Sequence, residues 1–309
     1  MFFLFLYRII SLAISLGPGR NHGYSTIMKQ EDVRLIDIDQ VLRAKAKGAY
    51  RFIPKALISY LKRVVHQDEI NRALIDHKDL TGLAFIESIL IGHFGLDIQV
   101  EHPENIPATG RYIVASNHPL GGLDGMTLMH VIGKKRSDMK FLANDILLEL
   151  PNLRELFVPV DKHGRNNADL VRALEGCFAS DDLILFFPAG LVSRRKGKTI
   201  KDLEWKKTFV SKAIQHKRDV VPVYIEGKNS DFFYKLALWR KRLGIKFNIE
   251  MLYLPDEMFR QRNKKIRIIF GNPVPYSTFT KKYTHHQWAQ LMREHVYALP
   301  GGKLTFEAK

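Results

Sequence analysis

A histidine and an aspartate stand close together in the stretch Ala115–Gly125. His118 follows Tyr112–Ala115, a β-branched and aromatic run that predicts a buried strand, and the pair Gly121-Gly122 predicts a turn that returns the Asp124 carboxylate to the His118 ring. A carboxylate on one ring nitrogen fixes the tautomer and leaves the other nitrogen to accept a proton from a hydroxyl. The pattern predicts a general base, although a surface histidine in a glycine-rich turn would have the same sequence.

Three further segments with cationic or Pro-Val residues come near predicted strand ends: Val158–Arg165, Phe187–Lys196 and Val221–Val223. Their candidate ligands for an anionic group are Lys162, Arg165, Arg194 and Arg195. If the strands are parallel, all of these segments face one crevice, since the loops after parallel strands meet at one edge of the sheet. Such a crevice suits group transfer to a hydroxyl of an anionic molecule.

The order and spacing of these segments resemble the glycerophospholipid acyltransferase family, membrane-associated enzymes that acylate lysophosphatidic acid and related lyso-lipids. Asn117 to Asp124 resembles the family's first block and Phe157–Lys162 its second, an apolar strand that ends in an arginine. Phe187–Arg194 resembles in part the third block, Phe-Pro-Glu-Gly-Thr-Arg-Ser, and Val221–Val223 resembles the fourth. The resemblance covers roughly residues 96–275.

The chain departs from the family pattern in each of the first three blocks. Five residues separate the histidine from the aspartate, where the family usually has four. Ala189 replaces the glutamate of the third block, the arginine of that block is displaced to Arg194 or Arg195, and Lys162 stands for the arginine of the second. These changes resemble the haemolysin-like branch, whose members include O-acyltransferases for lyso-ornithine and lyso-glycine lipids.

The resemblance implies a reaction without a metal, a cofactor or a covalent enzyme intermediate. His118 would act as general base and Asp124 would stabilise its imidazolium, while an acyl thioester on acyl carrier protein or coenzyme A would supply the chain. Amides around Gly121, Gly122 or Gly190 would bind the oxyanion. The residues expected to contact substrate are Asn117, Gly121, Gly122, Lys162, Arg165, Pro188, Ala189, Gly190, Arg194 and Arg195. Each cation taken singly has a solvated surface charge as an equal alternative.

The amino-acid composition limits the classes of molecule that the protein is expected to bind. The 309 residues carry 48 Lys and Arg against 32 Asp and Glu, a net charge of +16 that attracts polyanions. No zinc-finger spacing or RNA-binding aromatic signature is present, which disfavours nucleic acid. With the family resemblance, the charge predicts a peripheral protein on the cytoplasmic face of a membrane. The single cysteine, Cys177, fits a reducing compartment and lies on an apolar helix face, so we expect it to be buried.

Alternating strand and helix signals predict an α/β fold: a mixed, largely parallel sheet flanked by helices, with an N-terminal helical segment. The predicted strands are Leu96–Val100, Tyr112–Ala115, Lys140–Ala143, Leu156–Val160, Leu183–Phe187, Val220–Ile225 and Ile266–Phe270. Pro222 places its strand at an edge or a bulge. The expected divisions are an apolar extension at 1–27, which we expect to be an artefact of an upstream start codon with Met28 as the natural start, a helical segment at 28–95, a catalytic core at 96–276, and a closing helix and tail at 277–309.

The helical segment carries an apolar stripe made of Leu57, Ile58, Leu61, Val64 and Val65. Lysine and arginine flank it, so it suits a membrane interface, although packing on the main domain is the commoner arrangement. Tyr50, Phe52, Trp239 and the run Arg240-Lys241-Arg242 are further candidates for bilayer contact.

Other classes of function remain open from the sequence. A non-catalytic lipid-binding protein would use the same charge and amphipathic helix. A hydrolase built on Ser116 or Ser193 is weaker, because neither serine lies in a Gly-x-Ser-x-Gly elbow. A metal site at His285-His286 is weaker still, since adjacent side chains on a helix diverge.

Overall fold

The computed structural model of the chain describes residues 35–143, 150–159, 167–246 and 248–308. The predicted extension at 1–27, the alternative start at Met28, and the candidate ligands Lys162 and Arg165 lie outside these residues.

The strands fall where the β-branched and aromatic runs predict them, within one or two residues at each end. They are β1 Asp97–Glu101, β2 Tyr112–Ser116, β3 Met139–Ala143, β4 Phe157–Pro159, β5 Leu183–Phe186, β6 Arg194–Lys196, β7 Thr199–Lys201, β8 Asp219–Ile225 and β9 Lys265–Phe270. The short hairpin β6–β7 is separate from the main sheet and was not predicted. Its sequence, rich in lysine and arginine, lacks the apolar alternation by which strands are recognised.

The α-helices are α1 Ile38–Ala46, α2 Lys55–Val64, α3 Gln67–Asp76, α4 Gly82–Glu87, α5 Gly122–Gly133, α6 Asn167–Ala179, α7 Thr208–His216, α8 Asp231–Arg242, α9 Leu254–Phe259 and α10 His285–Val296. A π-helical turn at Ser88–His93 continues α4, and a 3-10 turn at Ile249–Tyr253 precedes α9. Thr284 caps α10 by accepting the Gln287 amide, and the Gln287 side chain accepts the Thr284 amide. This reciprocal arrangement is a capping box.

The main sheet has the strand order β1-β9-β8-β2-β5-β3-β4. Strands β8, β2, β5, β3 and β4 are parallel neighbours, while β9 runs antiparallel to β8 and pairs in parallel with β1. The predicted mixed, largely parallel sheet is therefore confirmed. Its central strand, β2, is the one that leads to His118.

Both faces of the sheet are buried. Along β2, Val114 packs into a cluster with α5 and the α4 region, whereas Ile113 and Ala115 pack into a second cluster with α7 and α10. Because successive side chains of a strand point to opposite faces, this three-layer packing explains why the strands are continuous apolar runs. Cys177 is buried in the second cluster, as predicted, and burial raises the pKa of its thiol to about 11.

Strand β8 is interior, so the edge position considered for Pro222 is wrong and the bulge is what the structure has. Val223 pairs with Phe270, but Val220 pairs with Val274, so one extra residue enters the facing segment between these pairs. The Pro222 carbonyl accepts the Gly271 amide across this step. A proline is accommodated in a central strand because the ladder is interrupted where its missing N–H would have pointed.

The apolar stripe of the N-terminal segment packs inward, against the protein. Ile58, Leu61 and Val65 form a cluster with Leu42 and Leu252, the last of which lies in the 3-10 turn. This is the arrangement that the sequence offered as the alternative to a membrane interface. Within the residues that the structure describes, no helix combines the length and the hydropathy needed to cross a bilayer.

Candidate active site

Two of the four sequence blocks, the first and the third, meet at the carboxyl edge of the sheet together with the loop that follows β8, because β2 lies between its parallel neighbours β5 and β8. His118 follows β2, Phe187–Gly190 follows β5, and Gly227–Asn229 follows β8. The Val221–Val223 block itself lies inside β8, two residues short of its end, so it is a wall of the core and the loop beyond it faces the site.

The longer turn between His118 and Asp124 still brings the two side chains together. Nδ1 of His118 lies 2.9 Å from Oδ2 of Asp124. Asp124 is the third residue of α5, and its Oδ2 also accepts the amides of Leu120 and Gly121 at 2.8 and 3.0 Å. The carboxylate thus caps the helix and orients the ring, and Nε2 is left as the ring nitrogen that can take a proton.

Asp124 is fully buried, and this burial raises its pKa above the ordinary carboxyl value. The His118 ring and the two amides act in the opposite direction. Its other oxygen, Oδ1, has no hydrogen-bond partner among the described residues. All of its hydrogen bonds are therefore made at Oδ2, away from water, and burial strengthens the effect of the negative charge on a nearby imidazolium.

Phe187 is a site residue that sequence reasoning missed. Its ring stacks on His118, with centroids 4.2 Å apart and planes 14° from parallel, and Phe141 contacts its edge. The stacked phenyl ring restricts rotation of the imidazole plane, which Asp124 holds at Nδ1. The third-block pattern contains this phenylalanine, so the signal was present and was attributed to the strand.

Asn117 lies beside the ring but does not face a substrate. Its amide group donates to the Ile225 carbonyl at 2.8 Å and accepts the Ile225 amide at 2.7 Å, and the residue is buried. It closes the gap between the ends of β2 and β8. The predicted substrate contact is therefore corrected to a structural bond between strands, because both polar atoms already have partners.

Asp202, a second residue that sequence reasoning missed, supports the main chain of the turn that carries His118. Its Oδ1 accepts the His118 amide at 3.2 Å and the Ser193 hydroxyl at 2.6 Å, while its Oδ2 accepts Nε1–H of Trp205 at 2.9 Å. The Ser193 amide in turn donates to the His118 carbonyl at 2.7 Å. Asp202 lies 84 residues from His118, and no local pattern marks it.

The C-terminal helix holds Asp202 in place. The Asp202 amide donates to the Tyr297 hydroxyl oxygen at 2.7 Å, and Nη2 of Arg293 donates to the Asp202 carbonyl. Burial raises the pKa of Tyr297, so its hydroxyl keeps its proton and can donate to the carboxylate. Residues after 276 thereby contribute to the turn that carries the histidine.

Of the glycine amides predicted to face an oxyanion, two already have partners. The Gly121 amide donates to Asp124, and the Gly190 amide donates to the Phe187 carbonyl at 3.0 Å. Both glycines have positive φ and form turns, which is why they are glycine. Gly122 is the first residue of α5, where amides have no intrahelical acceptor, and it is exposed with open space around it.

The two arginines after β5 bind other parts of the protein. Arg194 forms an ion pair with the buried Glu250 at 3.1 Å, and Arg195 pairs with Asp231 at 2.6 Å. Burial lowers the pKa of Arg194, and Glu250 opposes that change. The expected ligand role of Arg194 is corrected to anchoring, because a guanidinium that neutralises a buried carboxylate costs much to withdraw. Arg195 instead forms a surface ion pair with the exposed Asp231 and stays a candidate ligand.

The remaining third-block residues form the wall of the turn. Pro188 and Ala189 are buried, and the Pro188 carbonyl accepts the Lys206 amide at 3.0 Å. The exposed Lys206 is a cation that the sequence did not single out. A β-carbon placed on Gly190 would lie 3.1 Å from its Nζ, so this ammonium group borders the turn.

The serines and histidines considered for a hydrolase or a metal site have hydrogen-bond partners other than the His118 ring. Ser116 is buried and donates to the Asn117 carbonyl, and the Ser193 hydroxyl belongs to Asp202, so neither is held as a nucleophile by His118. His285 contacts the Ser211 hydroxyl. In the described part of the chain, no group of three or more His, Cys, Asp or Glu side chains could hold a metal ion.

Comparison with known proteins identifies relatives along most of the chain. A family model described as "Acyltransferase" matches residues 40–303. A lyso-glycine lipid O-acyltransferase from Bacteroides thetaiotaomicron is 49% identical over 88% of this chain and 100% of its own length. The enzyme of that name from Phocaeicola vulgatus is 47% identical over 88% of this chain and 98% of its own length.

Among solved structures, the 1-acyl-sn-glycerophosphate acyltransferase PlsC from Thermotoga maritima covers 71% of this chain and 79% of its own. It is 22% identical, with a TM-score of 0.44.

Proposed function

This chain belongs to the acyltransferase family and is an acyltransferase, and we propose that it moves a fatty acyl chain onto the hydroxyl of an N-acyl amino-acid lyso-lipid of the lyso-glycine type. The observation that carries the proposal is the His118–Asp124 pair, joined at 2.9 Å at the carboxyl end of the central strand. A base oriented in this way is what hydroxyl acylation needs.

In the proposed reaction, Nε2 of His118 takes the proton of the acceptor hydroxyl as its oxygen attacks the thioester carbonyl. Asp124 stabilises the imidazolium through Nδ1–H. The tetrahedral intermediate collapses as the C–S bond breaks, and the imidazolium returns the proton to the departing thiolate. An ester and a free thiol are formed, and His118 is regenerated without any other reactant.

Gly122 supplies the amide for the developing oxyanion in this proposal. Its N–H is at the first position of α5, where the helix dipole also favours negative charge. The open space around Gly122 lets a carbonyl oxygen approach the backbone. The amides of Gly121 and Gly190 are excluded because they already donate within the protein.

The acceptor is proposed from two lines of support. The curated relatives are named for lyso-glycine lipid, and the alignment spans nearly all of their length. The guanidinium group of Arg194 is held by the buried Glu250, and that of Arg195 is paired with Asp231, which leaves less positive charge for a phosphate dianion. A head group with a single carboxylate needs fewer cations to bind it than a phosphate dianion does. In this proposal the carboxylate lies near the turn at Gly190, which Lys206 borders.

We further propose that the donor is an acyl thioester of acyl carrier protein or coenzyme A, that no cofactor is needed, and that the enzyme works at the cytoplasmic face of a membrane. Both donors are water-soluble and cytoplasmic, while the acceptor is a lipid. The net charge of +16 favours an anionic lipid surface.

The proposal is tested by acyl transfer with the purified full chain. Lyso-glycine lipid and lysophosphatidic acid are offered as competing acceptors, with acyl carrier protein and coenzyme A thioesters as donors. We expect transfer to the lyso-glycine lipid, reduced about 10²- to 10⁴-fold in His118→Ala. The side chain of His118 is about one-fifth exposed, so the variant should fold, and His285→Ala serves as the matched control.

Two outcomes would contradict the proposal. Preferred acylation of lysophosphatidic acid would contradict the proposed acceptor. Full activity of a folded His118→Ala would contradict the role of His118 as the general base. Intact lipid binding with no transfer to either acceptor would instead favour the non-catalytic lipid-binding protein.

A further inference from the structure

Helix α8 carries apolar side chains on the face that it turns to solvent. Its inner face is buried against the turn that follows β5, through Phe233 and Tyr234. On the outer face, Phe232, Leu236, Trp239 and Leu243 follow one another at spacings of four, three and four residues. That spacing lines up one side of a helix, so these four residues form a continuous ridge, the α8 ridge.

The α8 ridge is too exposed to be a core element. Trp239 is 69% exposed, Leu243 is 70% exposed and Phe232 is 50% exposed. A tryptophan and a leucine with most of their surface in water are costly to leave there, since each square ångström of apolar surface costs roughly 25 cal/mol. An exposed contiguous apolar patch marks a surface that is covered in use.

Cations accompany the ridge. Lys235 and Arg242 lie beside it on the same solvent-facing side, separated by seven residues and hence by two helical turns, and Lys241 is exposed nearby. An aromatic and aliphatic ridge bordered by lysine and arginine is the composition of a helix that lies in a bilayer interface. A protein partner with an apolar groove would leave these charges unmatched.

The start of α8 is fixed to the turn from His118 to Asp124, which is the catalytic turn in the proposed function. Asn229, two residues before the helix, donates to the Pro119 carbonyl at 3.2 Å, and Pro119 is the residue after the base. Arg195 holds Asp231 in the first turn of α8, and Arg194 holds Glu250 beneath the helix. The helix that carries the ridge is therefore tied at its start to the turn that carries His118, and the ridge runs along it for about 17 Å.

We propose that the α8 ridge is the surface by which this enzyme docks on an anionic bilayer, so that the lipid acceptor reaches His118 along the edge of α8. The inference rests on the proposed function, and it names the membrane contact of the same site. The apolar stripe of α2, the first candidate from the sequence, packs inward on Leu252 and is not this surface. Of the further candidates, Trp239 belongs to the ridge, whereas Arg240 is buried and pairs with Glu250.

Vesicle co-sedimentation of the full chain tests the proposal. The vesicles contain phosphatidylcholine and phosphatidylglycerol in equal parts, or phosphatidylcholine alone. We expect Trp239→Ser/Leu243→Ser to lower binding to both kinds of vesicle at least about tenfold, because less apolar surface is buried. Lys235→Gln/Arg242→Gln should lower binding only to the anionic vesicles.

Val171→Ser on α6 is the matched control, since Val171 is an aliphatic side chain that is 55% exposed on another helix. It should bind as the wild type does. Transfer to acceptor dispersed in detergent should stay within about twofold of wild type in all these variants, because none of the changed residues belongs to the catalytic turn. This measurement also shows that each variant is folded.

The outcomes separate the two proposals. Wild-type binding that the ridge variant retains in full would overturn the α8 ridge while leaving membrane association intact. A wild type that binds neither vesicle but transfers acyl chains in detergent would overturn both docking and membrane association, and would leave the acceptor proposal standing. A ridge variant that binds vesicles normally but loses self-association in sedimentation velocity would assign the ridge to a second copy of the chain.

Discussion

The loops that follow β2 and β5 both bring polar residues to the same edge of the sheet, yet they use them differently. After β2, Asp124 presents its carboxylate to His118 and leaves Nε2 of the ring uncommitted. After β5, Arg194 and Arg195 are matched by Glu250 and Asp231. A charged side chain at a strand end is therefore a ligand candidate only when the protein has not already supplied its counter-charge.

The largest effect should come from removing the charge in the β2 loop while keeping its shape. In Asp124→Asn, the amide oxygen can still accept the Leu120 and Gly121 amides and Nδ1–H of His118, but the negative charge is lost. We expect kcat to fall about 10²- to 10⁴-fold with little change in KM, because the imidazolium forms only in the transition state. Steady-state kinetics with the lyso-glycine acceptor provides the measurement, and a loss confined to KM would contradict the assigned role.

Removing a charge from the β5 loop should affect stability instead. Arg194→Met leaves the buried Glu250 with Arg240 as its remaining ion-pair partner, so we expect the free energy of unfolding to fall by about 2 kcal/mol. KM for the acceptor should be unchanged. Urea denaturation and kinetics on the same preparation distinguish the cases, since a raised KM with unchanged stability would restore Arg194 as a ligand.

Removal of the Asn117 bond between strands should cost about as much stability as the loss of Arg194. Asn117→Ala leaves the amide and carbonyl of Ile225 buried without their partners, and we expect a loss of about 2 kcal/mol in unfolding free energy. Activity should fall only as far as the turn loosens. Thermal unfolding monitored by circular dichroism measures the effect, and a variant as stable as wild type would mean that water replaces the side chain.

A smaller effect is expected at Gly122, where an added β-carbon meets open space. Gly122→Ala should leave stability unchanged and lower kcat/KM about threefold to tenfold, because the methyl group stands where the thioester carbonyl approaches. Gly176→Ala on α6 is the control: it also meets open space, and alanine there should stabilise the helix by about 0.5–1 kcal/mol without affecting kinetics. Unchanged kinetics in Gly122→Ala would mean that the Gly122 amide does not bind the oxyanion.

The smallest effect concerns pH. Because burial raises the pKa of Asp124 in the folded state, its ionised form opposes folding at neutral pH, and this penalty is relieved as the pH falls toward the ordinary carboxyl range. Wild type should therefore gain stability relative to Asp124→Asn as the pH falls from neutral. Denaturation of both proteins at a series of pH values tests this, and a difference that moves the other way would mean that the His118 partner outweighs burial.

The sequence predicted the β2 loop because its chemistry is local. A strand, a glycine turn and an aspartate at the third position of a helix are written within a few residues, and the turn dictates the contact. The sheet was predictable for the same reason, since buried parallel strands are continuous apolar runs. The position of Pro222 was only half predicted, because the bulge that accommodates it depends on the facing segment.

Contacts across long separations were not predictable from one sequence. Asp202 meets His118 over 84 residues and Asn229 meets Pro119 over 110, and nothing near either residue signals the pairing. The role of Arg194 was misassigned for a related reason. Arginine after a strand has the same local pattern whether a buried glutamate or a ligand faces it.

The bonds from α10 to Asp202 have a consequence for how genes of this kind are read. A nonsense mutation between the fourth block and Arg293 would leave all four sequence blocks untouched, including the codons for His118 and Asp124. It would nevertheless remove Arg293 and Tyr297, which bond to the main chain of Asp202, the residue whose carboxylate supports the histidine's backbone. An open reading frame truncated in its last few dozen bases could thus encode a pseudoenzyme that every motif search would count as active.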